Sequence, residues 1–183
     1  MDPVISLIVT VALALTGYLA TYWNNLQMAK RKDRLDLVNS RLNQFYGPLY
    51  VACRAGEVAY EALLQKMGKP AIFRMGETPT QAAIDEWRVW LETVFEPLND
   101  FREDLIMKNA HLIREEEMPD CLVKFVTHVS TLKAVQRKWA MGDFSEYAAL
   151  IPFPADLVNY AEESYRELKA EQLVLIGKAK PLG

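Results

Sequence analysis

The chain is poor in the residues that carry most protein chemistry. Two histidines and two cysteines are all it offers among the usual metal ligands and strong nucleophiles outside the carboxylates. The cysteines, Cys53 and Cys121, are far apart in sequence, without the close pairing of a zinc or dithiol motif. In a reducing compartment such isolated thiols read as small core residues. There is no phosphate-binding glycine loop, no dinucleotide turn and no nucleophile elbow. No internal repeat, low-complexity tract or strand-like alternation of apolar and polar residues appears.

One absence is informative in itself. From Pro3 to Ala29 there is not a single charged residue. A bilayer core of roughly 30 Å needs about 20 mostly apolar residues in helix, and Val4 to Trp23 supplies them. Tyr18, Tyr22 and Trp23 cluster at the end of this run, where amphipathic rings favour the headgroup layer. Lys30, Arg31, Lys32 and Arg34 follow at once, a basic collar suited to anionic headgroups. A cleaved signal peptide would need a basic start and a shorter core, whereas this chain starts with Met1-Asp2. The expectation is a retained anchor. The positive-inside rule sets its N-terminus outside and the remainder in the cytoplasm.

The formal net charge is −3. With the collar set aside the remainder is acidic, which argues against nucleic acid as the main partner. Past the collar, Leu35, Val38, Leu42, Phe45 and Leu49 recur at helical spacing, the seam of a helix packing on a neighbour. No Gly or Pro separates Trp23 from Phe45, so the membrane helix is expected to run on unbroken as a rod of roughly 60 Å. Gly47-Pro48 reads as its end, a C-cap followed by the first turn of the next helix. That helix should stop at Gly68-Lys69-Pro70, and residues 68–78 form a loop whose Ile72, Phe73 and Met75 tuck against the core.

Thr78 and Pro79 read as N-cap and first position of a further helix. Its stripe runs through Trp87, Leu91, Val94, Leu98, Phe101 and Leu105, with Pro97 a kink that leaves the stripe in phase. Pro119 opens another helix carrying Cys121, Phe125, His128, Leu132, Val135 and Trp139 on one face, closed by Gly142. A last helix from Pro154 presents Leu157, Ala161, Leu168 and Leu175 and stops at Gly177. The expected fold class is all-α: one N-terminal transmembrane helix continuing into a cytoplasmic antiparallel helical bundle. Its parts are a transmembrane anchor (1–29), a juxtamembrane helix (30–46) and a cytoplasmic bundle domain (47–183).

Phe45-Tyr46-Gly47-Pro48-Leu49, then Trp87 and Trp90 leading to Val94-Phe95-Glu96-Pro97-Leu98-Asn99, are followed by Glu117-Met118-Pro119-Asp120-Cys121-Leu122 and Trp139-Ala140-Met141-Gly142-Asp143-Phe144-Ser145. In this order they resemble a group of uncharacterised bacterial proteins, each a membrane helix followed by a helical domain of this length. The resemblance spans nearly the whole chain and implies a bacterial inner-membrane setting. It carries no catalytic or ligand-binding residues and no cofactor.

Three functions fit. The first is a non-enzymatic, membrane-tethered interaction or sensing module with a cytoplasmic protein partner. The second is an enzyme with a metal or acid–base site at His111 and Glu115, Glu116 and Glu117, since His111 and Glu115 stand four residues apart. The third is an oligomeric structural element self-associating along Leu35, Val38, Leu42 and Phe45. His128 with Cys121 one heptad earlier gives two ligands, too few for a closed zinc site, so a hydrogen-bonded core histidine is expected.

Overall fold

A computed structural model describes residues 2–73 and 79–179. The described residues form helices and connecting segments, with no strand among them. Helix α1 spans Pro3–Arg41, α2 Gly47–Met67, α3 Gln81–Trp90, α4 Glu96–Asn109, α5 Asp120–Ala140 and α6 Asp156–Leu175. Two five-residue π-turns, Leu42–Tyr46 and Leu91–Phe95, join α1 to α2 and α3 to α4. Helical backbone therefore continues from Pro3 to Met67, and its apolar N-terminal part is long enough to cross a membrane by length and composition.

The π-turns correct two expectations and share one cause. A proline inside a helix has no N–H to give, and its ring strikes the carbonyl four residues back. Here each proline, Pro48 and Pro97, is the second residue after a π-turn. The Gly47 N–H reaches back five residues to the Leu42 carbonyl, and the Glu96 N–H likewise to that of Leu91. The wider turn opens space for the ring, and helical dihedrals carry straight on. Gly47 itself is right-handed (φ −64°, ψ −55°), so Gly47-Pro48 is not a corner and the helix does not end there.

The extra residue in each turn also moves the buried stripe. Beyond Pro97 the core side of α4 is Asn99, Arg102, Leu105 and Ile106. Leu98 is only half-buried and Phe101 stands 49% exposed, so the stripe does not keep its phase across the proline. At the first π-turn the widening lets adjacent rings, Phe45 and Tyr46, both lie fully buried. Their planes are nearly perpendicular at 4.8 Å between centroids, a favourable edge-to-face pair.

Other boundaries follow ordinary capping chemistry. Helix α2 ends at Gly68 with φ 62°, the left-handed conformation that glycine adopts without steric cost. The helix expected from Pro79 starts instead at Gln81. Thr80 is its N-cap, accepting from the Ala83 N–H, while Thr78 lies outside the described residues. Ile72 is buried and Phe73 half-buried, packing with Leu63, Leu91, Phe95, Leu132, Val135 and Trp139; Met75 falls outside the described residues. The face expected on α5 is buried at Cys121, Phe125, Leu132, Val135 and Trp139.

The irregular strap between α5 and α6 is held by three side chains donating to its carbonyls. Trp87 Nε1–H bonds to Tyr147 O at 3.0 Å and Trp139 Nε1–H to Glu146 O at 2.6 Å. His128 Nδ1 lies 2.7 Å from Ile151 O.

The chain forms two compact units, residues 40–169 and residues 1–39 with 170–183. In the larger, α4 packs against α2, the first π-turn and α5. In the smaller, the end of α6 lies along α1, running the opposite way: Gln172 bonds to Asn39 at 2.6 Å, Arg34 to Glu171 at 2.6 Å and Arg31 to the Leu175 carbonyl at 2.7 Å.

Truncating a buried aromatic typically costs about 3–5 kcal/mol. Phe45→Ala, at a fully buried position, is expected to lower the thermal midpoint of the intact chain sharply. Phe73→Ala, at a half-buried loop position, should lower it less; equal shifts in a melting series would contradict the packing described.

Candidate functional site: two polar centres and an open apolar face

The first polar centre is Arg102. It is 2% exposed, yet among the described residues no carboxylate meets it. Its Nη1 donates to Asn99 Oδ1 at 2.8 Å, one turn earlier, and its Nη2 to the Ala52 carbonyl at 2.5 Å. The guanidinium lies 5.8 Å from the Phe125 ring centre, and Nε finds no acceptor. Burial lowers its pKa from the usual arginine value, with the adjacent Cys53 working against the shift. Gly56 makes room for the group: a Cβ there would stand 2.2 Å from Nη2. Burial pushes the Cys53 thiol up to about 11, against the pull of Arg102, so it stays protonated at neutral pH. Burial likewise pushes Cys121 up to about 11.

The second centre surrounds Tyr46, whose burial follows from the first π-turn. Its hydroxyl accepts from the Arg114 N–H at 3.1 Å and lies 3.2 Å from the Tyr160 hydroxyl. Tyr160 donates to Glu115 Oε2 at 3.1 Å, with Tyr46 at 3.4 Å from the same oxygen. Arg114 in turn reaches Glu167 at 2.8 Å. Burial first, then the neighbouring phenol and the Glu115 charge, raises the pKa of Tyr160. Tyr46 is also raised, chiefly by burial. Both phenols are neutral at physiological pH and act as hydrogen-bonding groups that hold the 113–115 segment to the π-turn.

These contacts bear on the residues grouped from the sequence. Glu115 faces two tyrosines, while His111 is exposed and shares no hydrogen bond with Glu115, Glu116 or Glu117. Among the described residues no three His, Cys, Asp or Glu side chains gather to hold a metal ion. His128 has one ring nitrogen on Ile151 O and lies edge-on to Phe153 at 5.7 Å.

Along the seam, Val38, Leu42 and Phe45 are buried and Leu35 is half-buried, so the chain itself covers these residues. The open apolar surface is elsewhere. Val51, Ala55, Val58 and Ala62 lie on the outer face of α2 at 4-3-4 spacing and are all exposed, Val51 by 65% and Val58 by 55%. They floor a groove of about 730 Å³ edged by Tyr50 and Trp90, beside a second of about 450 Å³ edged by Leu98 and Phe101. Tyr18, Tyr22 and Trp23 are exposed on α1, with the two tyrosine rings stacked at 6.4 Å. Of the collar, Lys30 and Lys32 are exposed, while Arg31 and Arg34 also bond to the end of α6.

Sequence reasoning passed over Arg102 and the α2 face. A signal for the first was present: Gly56, in the middle of an Ala- and Glu-rich helix, sacrifices roughly 0.5–1 kcal/mol of helix stability relative to alanine and therefore points to a close approach. Compared with family models, curated proteins and solved structures, the chain matches none.

Two outcomes test this geometry. Gly56→Ala should lower the thermal midpoint by displacing the guanidinium. Adding Arg102→Met should make the two changes non-additive, the signature of touching groups; additive midpoints would break the link. His128 has its pKa lowered from 6.5, chiefly by burial. A base depressed in the folded state gives stability that is complete above pH 6.5 and lost as pH falls toward the folded value. His128→Leu roughly keeps volume and should flatten that acid limb in denaturant titrations between about pH 7 and pH 5.

Proposed function

We propose that the chain is a membrane-tethered helical interaction module, anchored by α1 in a bacterial inner membrane with its bundle in the cytoplasm. The observation that carries this reading is the exposed apolar face of α2. A helix apolar on both sides is normally buried on both, and this helix has Leu49, Ala52, Cys53, Gly56 and Leu63 inside and Val51, Ala55, Val58 and Ala62 outside. The occupant that fits is an apolar helix face of a protein partner, since small side chains let a second backbone come close. Support for the anchor comes from the uncharged run and its aromatic and basic flank.

A photo-crosslinking residue in place of Val51, used in intact cells, is expected to trap one discrete protein. Val58→Glu should abolish that adduct with stability changed by less than about 0.5 kcal/mol, as is usual for an exposed position. An adduct with the mass of two chains would favour the oligomeric structural element instead. No adduct would remove the basis of the module reading.

A further inference from the structure

The C-terminal turn of α6 ends beside the basic collar, and its chemistry matches a membrane surface. Helix α6 closes in a Schellman cap: Lys178 N–H bonds to Leu173 O at 2.8 Å and Gly177 N–H to Val174 O at 3.0 Å, with Gly177 at φ 76°. This leaves the Leu175 carbonyl at the negative end of the helix, where the Arg31 side chain from α1 donates to it at 2.7 Å. Arg31 is thus a cross-helix cap that fixes the turn against the collar. The residues it presents are Ile176, 42% exposed, and the exposed Lys178; Lys30 and Lys32, also exposed, flank Arg31 on α1. No acidic residue occurs from Pro3 to Lys32, Asp33 follows the collar lysines, and Glu171 is taken up by Arg34.

We propose that the α6 C-terminal turn is a second point of membrane contact, with Lys178 meeting anionic lipid headgroups beside the basic collar and Ile176 facing the lipid surface. The inference rests on α1 crossing the bilayer. Eight residues separate Trp23 from Arg31, ~12 Å of helix, against an interfacial layer of roughly 5–8 Å on each side of the hydrocarbon core. That puts Arg31 roughly 4–7 Å beyond the headgroups, and α6, running antiparallel to α1, carries its last turn back toward them, within reach of a lysine side chain. Anionic lipid then sets how the end of α6 is held, so the membrane's charge becomes an input to the protein.

The full chain is reconstituted in vesicles of phosphatidylcholine alone or with added phosphatidylglycerol. A nitroxide is attached at Ile176→Cys or, as reference, at Leu13→Cys. Cys53 and Cys121 are buried, so the introduced thiol takes the label. Accessibility to a water-soluble nickel chelate is compared with accessibility to oxygen. The label at 176 should lose nickel accessibility when phosphatidylglycerol is present, and Lys178→Glu should restore it. Equal accessibility in both vesicles, or protection that Lys178→Glu leaves intact, would overturn the proposal while a protected label at 13 keeps the anchor. A label at 13 open to nickel would overturn the anchor reading itself.

Discussion

Two prolines inside helices set the terms for the rest of this structure. A proline there normally breaks the ladder or bends it, at a cost of about 3 kcal/mol or more. The chain instead inserts a π-turn immediately upstream, with Leu42 paired to Gly47 and Leu91 to Glu96 across five residues. The same short pattern surrounds both: Leu, three residues, an aromatic, one residue, Pro-Leu, seen as Leu42–Leu49 and Leu91–Leu98. In each copy the leucine that accepts the long hydrogen bond and the aromatic are buried. Packing thus holds the wide turn in place, and the wide turn makes room for the proline.

The consequences reach both polar centres. The residue added before Pro97 turns Asn99 and Arg102 inward and Phe101 outward. A charge that strict helical periodicity would place near the surface is then enclosed between α2 and α4, satisfied by an amide, a carbonyl and an aromatic face rather than by an acid. Removing any of those supports would strand a buried cation, which is far more destabilising than exchanging the whole group for an apolar one. The residue added before Pro48 brings Tyr46 inside, where its hydroxyl meets the Arg114 amide and Tyr160. One backbone device, used twice, positions the two polar centres of the larger unit.

This explains what could and could not be read from residue order. Helix α5 has no proline inside it, and Cys121, Phe125, Leu132, Val135 and Trp139 are buried at the spacing expected. The glycine stops at Gly68, Gly142 and Gly177 are all left-handed, as the punctuation implied. Gly47-Pro48 carried the same punctuation and meant something else, because a glycine before proline can equally be the donor that closes a π-turn. A 3.6-residue period contains no term for an inserted residue, so Leu98 and Phe101 were assigned inward and Arg102 was passed over. Thr80, one residue past Pro79, takes the cap because its hydroxyl accepts from the Ala83 N–H three residues on, which residue type alone does not tell. The α2 face was legible as spacing but not as exposure, since periodicity cannot say which of two apolar faces the chain will cover.

The smaller unit follows a different logic from the buried centres. Where α1 and α6 lie side by side, their contact includes Arg31 on a helix-terminal carbonyl, Arg34 on Glu171 and the amide pair Gln172–Asn39. Arg34 is largely solvent-exposed, and such pairs are individually worth about 0–1 kcal/mol and weakened by salt. Hydrophobic burial would hold two helices together regardless of ionic conditions. The exposed ion pairs and the dipole contact add to the burial of Val38 and Leu35 only as far as the local field allows. The units therefore differ in kind: buried groups around the π-turns fix the larger one, while ionic strength bears chiefly on the polar clasp of the smaller.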